Sequence, residues 1–209
     1  MDAAAEVATR RRAIADVVET LDADQLDHPS WCEGWQVRDV IGHLVHLAEA
    51  TQISMLRDVA RNGILPDKGL AAVGKEIGAR PADELASRLR DAADGTYHVP
   101  GTPMAVIVGE VLVHAADALR PLDLEPPSDP AVAAELIPTY RRFGRVAFHA
   151  TPTAKVTLVA TDTDLRIGSG PEVRGRAIDL LLLSANRAQV LDRLDGPGTA
   201  VIADRASGS

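Results

Sequence analysis

The stretch "GEVLVHAADAL", residues 109–119, sets Glu110, His114 and Asp117 among aliphatic and small residues. A carboxylate and an imidazole four positions apart share one face of a helix, which is the placement two ligands of one cation require. Spacing alone does not single this pair out, because Asp24/His28, Asp39/His43 and Asp94/His98 repeat it. Context separates them. The Asp24 and Asp94 pairs lie in polar ends and connections, where solvated side chains are the plain reading, whereas residues 104–119 contain no Lys or Arg and no acid besides Glu110 and Asp117. A helix apolar nearly all round is a buried one. A carboxylate buried without a partner costs several kcal/mol or takes up a proton, so something cationic should face Glu110. Either an arginine from a neighbouring helix or a metal ion meets that demand. Asp117, three residues beyond His114, either accepts from the free imidazole nitrogen or faces water at the helix end.

A second helix offers a further ligand. Its apolar stripe runs through Val37, Ile41, Leu44 and Ala48, leaving Gln36, Asp39, His43, His46, Ala50, Ser54 and Arg57 on the other side. His43 therefore either faces solvent or lines a wet cavity within a bundle, and periodicity does not choose between these. Cys32 stands in the turn before this helix and reads as structural. Arg57, Arg61 and Arg187 are arginines that could receive carboxylates or other polar groups of a ligand.

Helical periodicity predicts the elements that carry these residues at 3–22, from Gly34-Trp35 to Asn62-Gly63, from Pro81 to about 95, at 103–120 and at 130–149, where Pro138 should kink or break the run. The glycine-rich "GILPDKGLAAVGKEIGAR" reads as a loop with at most a short helical turn. Beyond Pro152 the period changes. "AKVTLVATD" and "DLRIG" alternate as strands do, "EVRGRAIDLLLLSANRAQVLDRLDG" reads as helical, and "TAVIAD" as a closing strand. The expected class is α+β, with a helical bundle of four main helices over 1–150 and a small C-terminal α/β unit over 151–209. No internal repeat or low-complexity tract interrupts this plan.

The formal charge of -8 argues against a sequence-independent grip on nucleic acid or on an anionic membrane. No segment reaches the ~18 apolar residues of a spanning helix. With a single cysteine and no apolar stretch near the start, a cytoplasmic protein with a reduced thiol is expected, a monomer or homodimer engaged in small-molecule chemistry or with protein partners.

"SWCEGWQVRDVIGHL" resembles the signature that opens the second helix in the mycothiol-dependent maleylpyruvate isomerase family, within the DinB/YfiT-like superfamily of metal-binding bundles. "GTPMAVIVGEVLVHAADALRPL" is similar to that family's later metal-binding helix, and "VRGRAIDLLLLSANRAQ" to the helix of its C-terminal domain. The resemblance implies His43, Glu110 and His114 as ligands of one divalent cation, zinc being the expected metal, with Asp117 behind His114 and one coordination position open. It also implies mycothiol as the thiol cofactor. The thiolate would add to a conjugated cis double bond, allow rotation and be eliminated; in an S-transferase the adduct would be kept. Arg187 and Arg57 are candidate contacts for substrate or cofactor. The chain departs from the family pattern at Glu33, where proline is frequent, at Ala116, where tryptophan is frequent, and at Asn186-Arg187, where Gly-Arg is usual. A zinc hydrolase using bound water, and a non-catalytic metal-stabilised binding module, are the alternative functions.

Overall fold

The computed structural model describes residues 1–62, 66–98, 102–147 and 153–207. The chain divides into two compact units, Asp2–Pro127 and Ser128–Ser209 together with Met1. The sequence division near 150 assigns the helix after Asp129 to the bundle. Its apolar face, with Val132, Ala133, Leu136 and Ile137 buried, packs instead against the leucine run at 177–184, which places it with the C-terminal unit.

In the first unit the helices are α1 (Ala3–Val18), α2 (Ala23–Asp27), α3 (Val37–Glu49), α4 (Gln52–Asn62), α5 (Pro66–Gly78), α6 (Ala82–Asp91) and α7 (Met104–Leu119). Four of them make the bundle. Both α1 and α3 pack against α6 and α7, closing a ring around Ile14, Val18, Ile41, Leu44, Leu85, Leu89, Val111 and Leu119. Arg11, 1 % exposed, sends its guanidinium to the carbonyl oxygens of Ala93 and Gly95 at 3.1 and 2.6 Å, where α6 ends and leaves acceptors without helical partners.

Two predictions in this unit are corrected. The long second helix is two helices, because Ala50 turns out of the helical region (ψ 138°) and Thr51 and Ser54 cap the new start reciprocally, each side-chain oxygen taking the other's backbone N–H. The glycine-rich stretch, expected as a loop with at most a short helical turn, carries the 13-residue α5, which packs tightly on α3. A Cβ on Gly42 would stand 2.1 Å from the Gly74 carbonyl oxygen and 2.5 Å from the Gly78 nitrogen. These glycines allow two helix backbones to approach, which is a different use from the turns that glycine usually signals.

The second unit comprises α8 (Pro130–Ala147), β1 (Thr157–Ala160), β2 (Arg166–Gly168), β3 (Glu172–Gly175), α9 (Ala177–Ser184) and α10 (Gly198–Ser207). α8 continues through Pro138. The sheet order is β2-β1-β3, with β1 antiparallel to β2 (Leu158 opposite Ile167) and parallel to β3 (Leu158 opposite Val173). "EVRG" is thus a strand where a helix was expected, and "TAVIAD" is helical where a strand was expected. Asp195 occupies the free edge of β3 by a two-way backbone bridge to Arg174, and Thr199 bonds back to the Gly196 carbonyl, which turns the chain into α10 before a further strand can pair. The predicted architecture, a helical bundle followed by a small α/β unit, is the one observed.

Candidate metal centre

α7 follows Pro103 and buries Val108, Val111, Leu112, Ala115, Ala116 and Leu119. The Asp117 side chain is fully buried, and the His114 and Glu110 side chains are 17 % and 30 % exposed. His114 Nδ1 lies 3.0 Å from Asp117 Oδ2. A carboxylate oxygen offers only lone pairs, so Nδ1 carries the hydrogen and donates. That bond turns Nε2 toward Glu110, whose Oε2 is 3.4 Å away. Burial opposes a charge on His114, yet its bonds to Asp117, Cys32 and Glu110 outweigh burial and raise its pKa well above the ordinary imidazole range. Protonated, His114 is one cation that faces Glu110. Of the two alternatives for Asp117, the structure has the acceptor for the imidazole; the carboxylate does not face water.

α3 brings His43 to the same place. His43 is 7 % exposed and does not face solvent. Its ring centroid is 4.9 Å from that of His114, with the planes at 85°, and Trp35 closes its other side edge-on at 5.7 Å. Burial and the neighbouring His114 charge push the His43 pKa down to about 3, so the ring is neutral at neutral pH. Its Nδ1 is buried and makes no hydrogen bond among the described residues. Asp39, four residues earlier, is spent at the helix start, where Oδ2 accepts the Gln36 N–H at 3.0 Å.

The turn 30–35 completes the site. Gly34 adopts φ +73°, the left-handed region that glycine enters without strain. The turn docks on α7 by the Trp31 N–H, which donates to the Asp117 carbonyl at 2.9 Å. Cys32 Sγ donates to Asp117 Oδ2 at 3.3 Å. Sequence reasoning did not link Cys32 to this cluster; its only signal was a place in the same motif as His43. Among the described residues, the three potential ligands whose donor atoms all lie within 4.8 Å of one another are Cys32, His114 and Asp117. His43, Glu110 and His114 share the site without closing that tightly.

A divalent cation suits the donors. A neutral buried imidazole with an unused nitrogen, a second imidazole oriented by a carboxylate and a half-buried glutamate make up an N,N,O set of the kind borderline cations accept. Arg57 is exposed on α4, and the Arg61 side chain lies outside the described residues. Arg187, in the C-terminal unit, donates to the Ala185 carbonyl at 2.9 Å at the end of α9. Asn186 before it has φ +64°, and the Arg187 N–H returns to Leu182 O, so asparagine fills the left-handed position that glycine commonly takes after a helix. Among the described residues no helix is long and apolar enough to cross a membrane.

Residues 7–119, more than half of the chain, match the family model described as the mycothiol maleylpyruvate isomerase N-terminal domain. A crystal structure of a mycothiol-dependent maleylpyruvate isomerase is similar over 95 % of this chain and 92 % of that one, at TM-score 0.58 and 15 % identity, a likeness that establishes the shared fold. The crystal structure of a histidine-to-alanine mutant of such an enzyme aligns over the same shares at TM-score 0.47 and 14 % identity. No curated protein matches the sequence significantly. With the family model spanning both α3 and α7, the chain belongs to the mycothiol maleylpyruvate isomerase N-terminal domain family.

Proposed function

We propose that this protein is a cytoplasmic, metal-dependent and mycothiol-using isomerase or S-transferase of the maleylpyruvate isomerase type, acting on a small electrophilic substrate. The observation that carries the reading is the pair of imidazoles 4.9 Å apart, one neutral with a buried nitrogen unused, the other held by Asp117 so that its second nitrogen turns to Glu110. His43, Glu110 and His114 would hold the cation. Asp117 fixes the His114 tautomer and orientation, Trp35 walls off His43, and the apolar lower half of α7 keeps water from the back of the site. A divalent cation held there, zinc by this donor set, supplies the electrostatic stabilisation that favours the thiolate form of a thiol at neutral pH. Mycothiol, implied by the family, supplies the nucleophile for a conjugated double bond, so no protein nucleophile is needed. Arg57 and Arg187 are proposed contacts for the substrate or the cofactor's polar groups.

Cobalt substitution tests the thiol role. A saturable sulfur-to-cobalt charge-transfer band on adding mycothiol, at lower concentration than with cysteine, is the expected result. Cobalt binding with no thiol band would point to hydrolysis by bound water. No bound cobalt would leave a helical binding module. A direct Cys32, His114, Asp117 site is the other metal arrangement favoured by an observation. It predicts the sulfur band before any thiol is added.

A further inference from the structure

We propose that Arg141 anchors a carboxylate-binding site in the C-terminal unit, taking the anion of a small organic acid. α8 buries Val132, Ala133, Leu136, Ile137 and Tyr140, and Arg141, four residues after Ile137, falls on the same face of the helix. Its side chain is therefore half-buried, with the charged head carried to the rim of the sheet. There Nη1 donates to the Ile167 carbonyl at 3.1 Å. The guanidinium lies against Gly168, where a Cβ would stand 2.8 Å from Nη1 and 2.9 Å from Nη2, so the head is seated where residue 168 has no side chain. A guanidinium offers five N–H donors, and Ile167 O is the one acceptor this head reaches among the described residues. Burial acts against its charge, and no carboxylate offsets that. In a chain with 30 acidic against 22 basic side chains this is an exception. On the neighbouring strands Arg166 and Arg174 share Glu172, and Arg176 lies 3.9 Å from Asp162. Arg11, the other arginine buried without a carboxylate bonded to it, points Nη1 at the Ala93 and Gly95 carbonyls. Arg141 alone combines a half-buried charge with donors left over. The N–H groups of Ser169 and Gly170, next along the same turn, also donate to no acceptor among the described residues, so this rim is rich in donors. A carboxylate is the complement of such a head, because it accepts two parallel N–H bonds and cancels a single positive charge. A phosphate dianion would leave one negative charge without a partner.

All of these groups except Arg11, which serves only as a contrast, belong to the C-terminal unit, so the site stands or falls apart from the metal centre. The test is an NMR titration of the full chain, metal-free, with sodium acetate at an ionic strength held constant by sodium chloride. It is read at the Arg141 Nε–H and at the Ile167 and Gly168 amides. Saturable shifts at all three are expected, with a Kd in the millimolar range that suits so small an anion. Arg141→Lys keeps the charge without the planar fork and should bind acetate at least about tenfold more weakly. Arg141→Gln should show no saturable shift at the two amides. Arg166→Gln, which removes a carboxylate-paired arginine from the same sheet, should leave the Kd unchanged. Circular dichroism verifies folding of each variant; should those at position 141 not fold, the Nε–H titration of the unmodified chain beside Arg166→Gln decides. Shifts that never saturate, or that saturate equally in Arg141→Gln, would overturn the site. Inorganic phosphate saturating the same signals at lower concentration than acetate would overturn the assignment to a carboxylate.

Discussion

Substituting Gly42 by alanine probes the contact that seats His43. The added Cβ would meet the Gly74 carbonyl oxygen at 2.1 Å, the Gly78 nitrogen at 2.5 Å and the Gly78 Cα at 2.9 Å. All three are backbone atoms, so no rotamer relieves the overlap. Ordinary van der Waals contact begins near 3.4 Å, and α3 and α5 must separate by about 1.3 Å to reach it. Overpacking of this kind costs ~1–3 kcal/mol, and with backbone on both sides the top of that range applies. Alanine recovers about 1 kcal/mol of helix propensity, which leaves a net loss of about 2 kcal/mol. For a chain of this size each kcal/mol moves Tm by roughly 2–4 °C, so calorimetry of metal-free Gly42→Ala should show a midpoint roughly 4–8 °C lower. Zinc affinity should fall with it, since His43 is the next residue and shifts with its helix. A variant as stable as the unmodified chain, with unchanged zinc affinity, would refute the claim that close backbone approach of α5 positions this ligand.

Metal-free stability should fall on acidification. A neutral His43, with its pKa near 3 against 6.5 when unfolded, contributes stability that is complete above pH 6.5 and is lost as pH drops toward 3. Between pH 6.5 and 5 the loss is about 2 kcal/mol. His114 has the opposite sign, since its raised pKa gives stability that is complete below pH 6.5 and is lost only as pH rises through the folded value. Urea unfolding at pH 7 and pH 5 should reveal the His43 contribution, and His43→Gln should flatten the difference. In the C-terminal unit, Asn186→Gly should be tolerated at φ +64°, whereas Asn186→Val should cost about 1–2 kcal/mol, read as a lower urea midpoint.

The α7 constellation was legible because acid, imidazole and acid fall at helical spacing in a segment without any basic residue. That His114 stands between two carboxylates was harder to foresee, since charge counting at neutral histidine omits the cation it supplies. Burial of His43 was not legible from its own helix. It lies off the apolar stripe and is covered by Trp35 and by α5, which the glycine content of 63–80 disguised as a loop. Short segments mark the other limit: "EVRG" and "TAVIAD" are too brief for period to separate strand from helix, and the Asp195 bridge to Arg174 decides the outcome. Asn186 shows the converse. A departure from the family's usual glycine is conservative once the left-handed backbone there is known.

Metal content tests the central claim most directly. The purified chain, His43→Ala, Glu110→Ala and Cys32→Ala would each be loaded with zinc, dialysed exhaustively and assayed by elemental analysis, with circular dichroism to verify folding. The account predicts close to one zinc per chain in the unmodified protein and in Cys32→Ala, and loss of most of it in His43→Ala and Glu110→Ala. Near-stoichiometric zinc in both of those variants, or its loss in Cys32→Ala alone, would contradict a centre built from His43, Glu110 and His114.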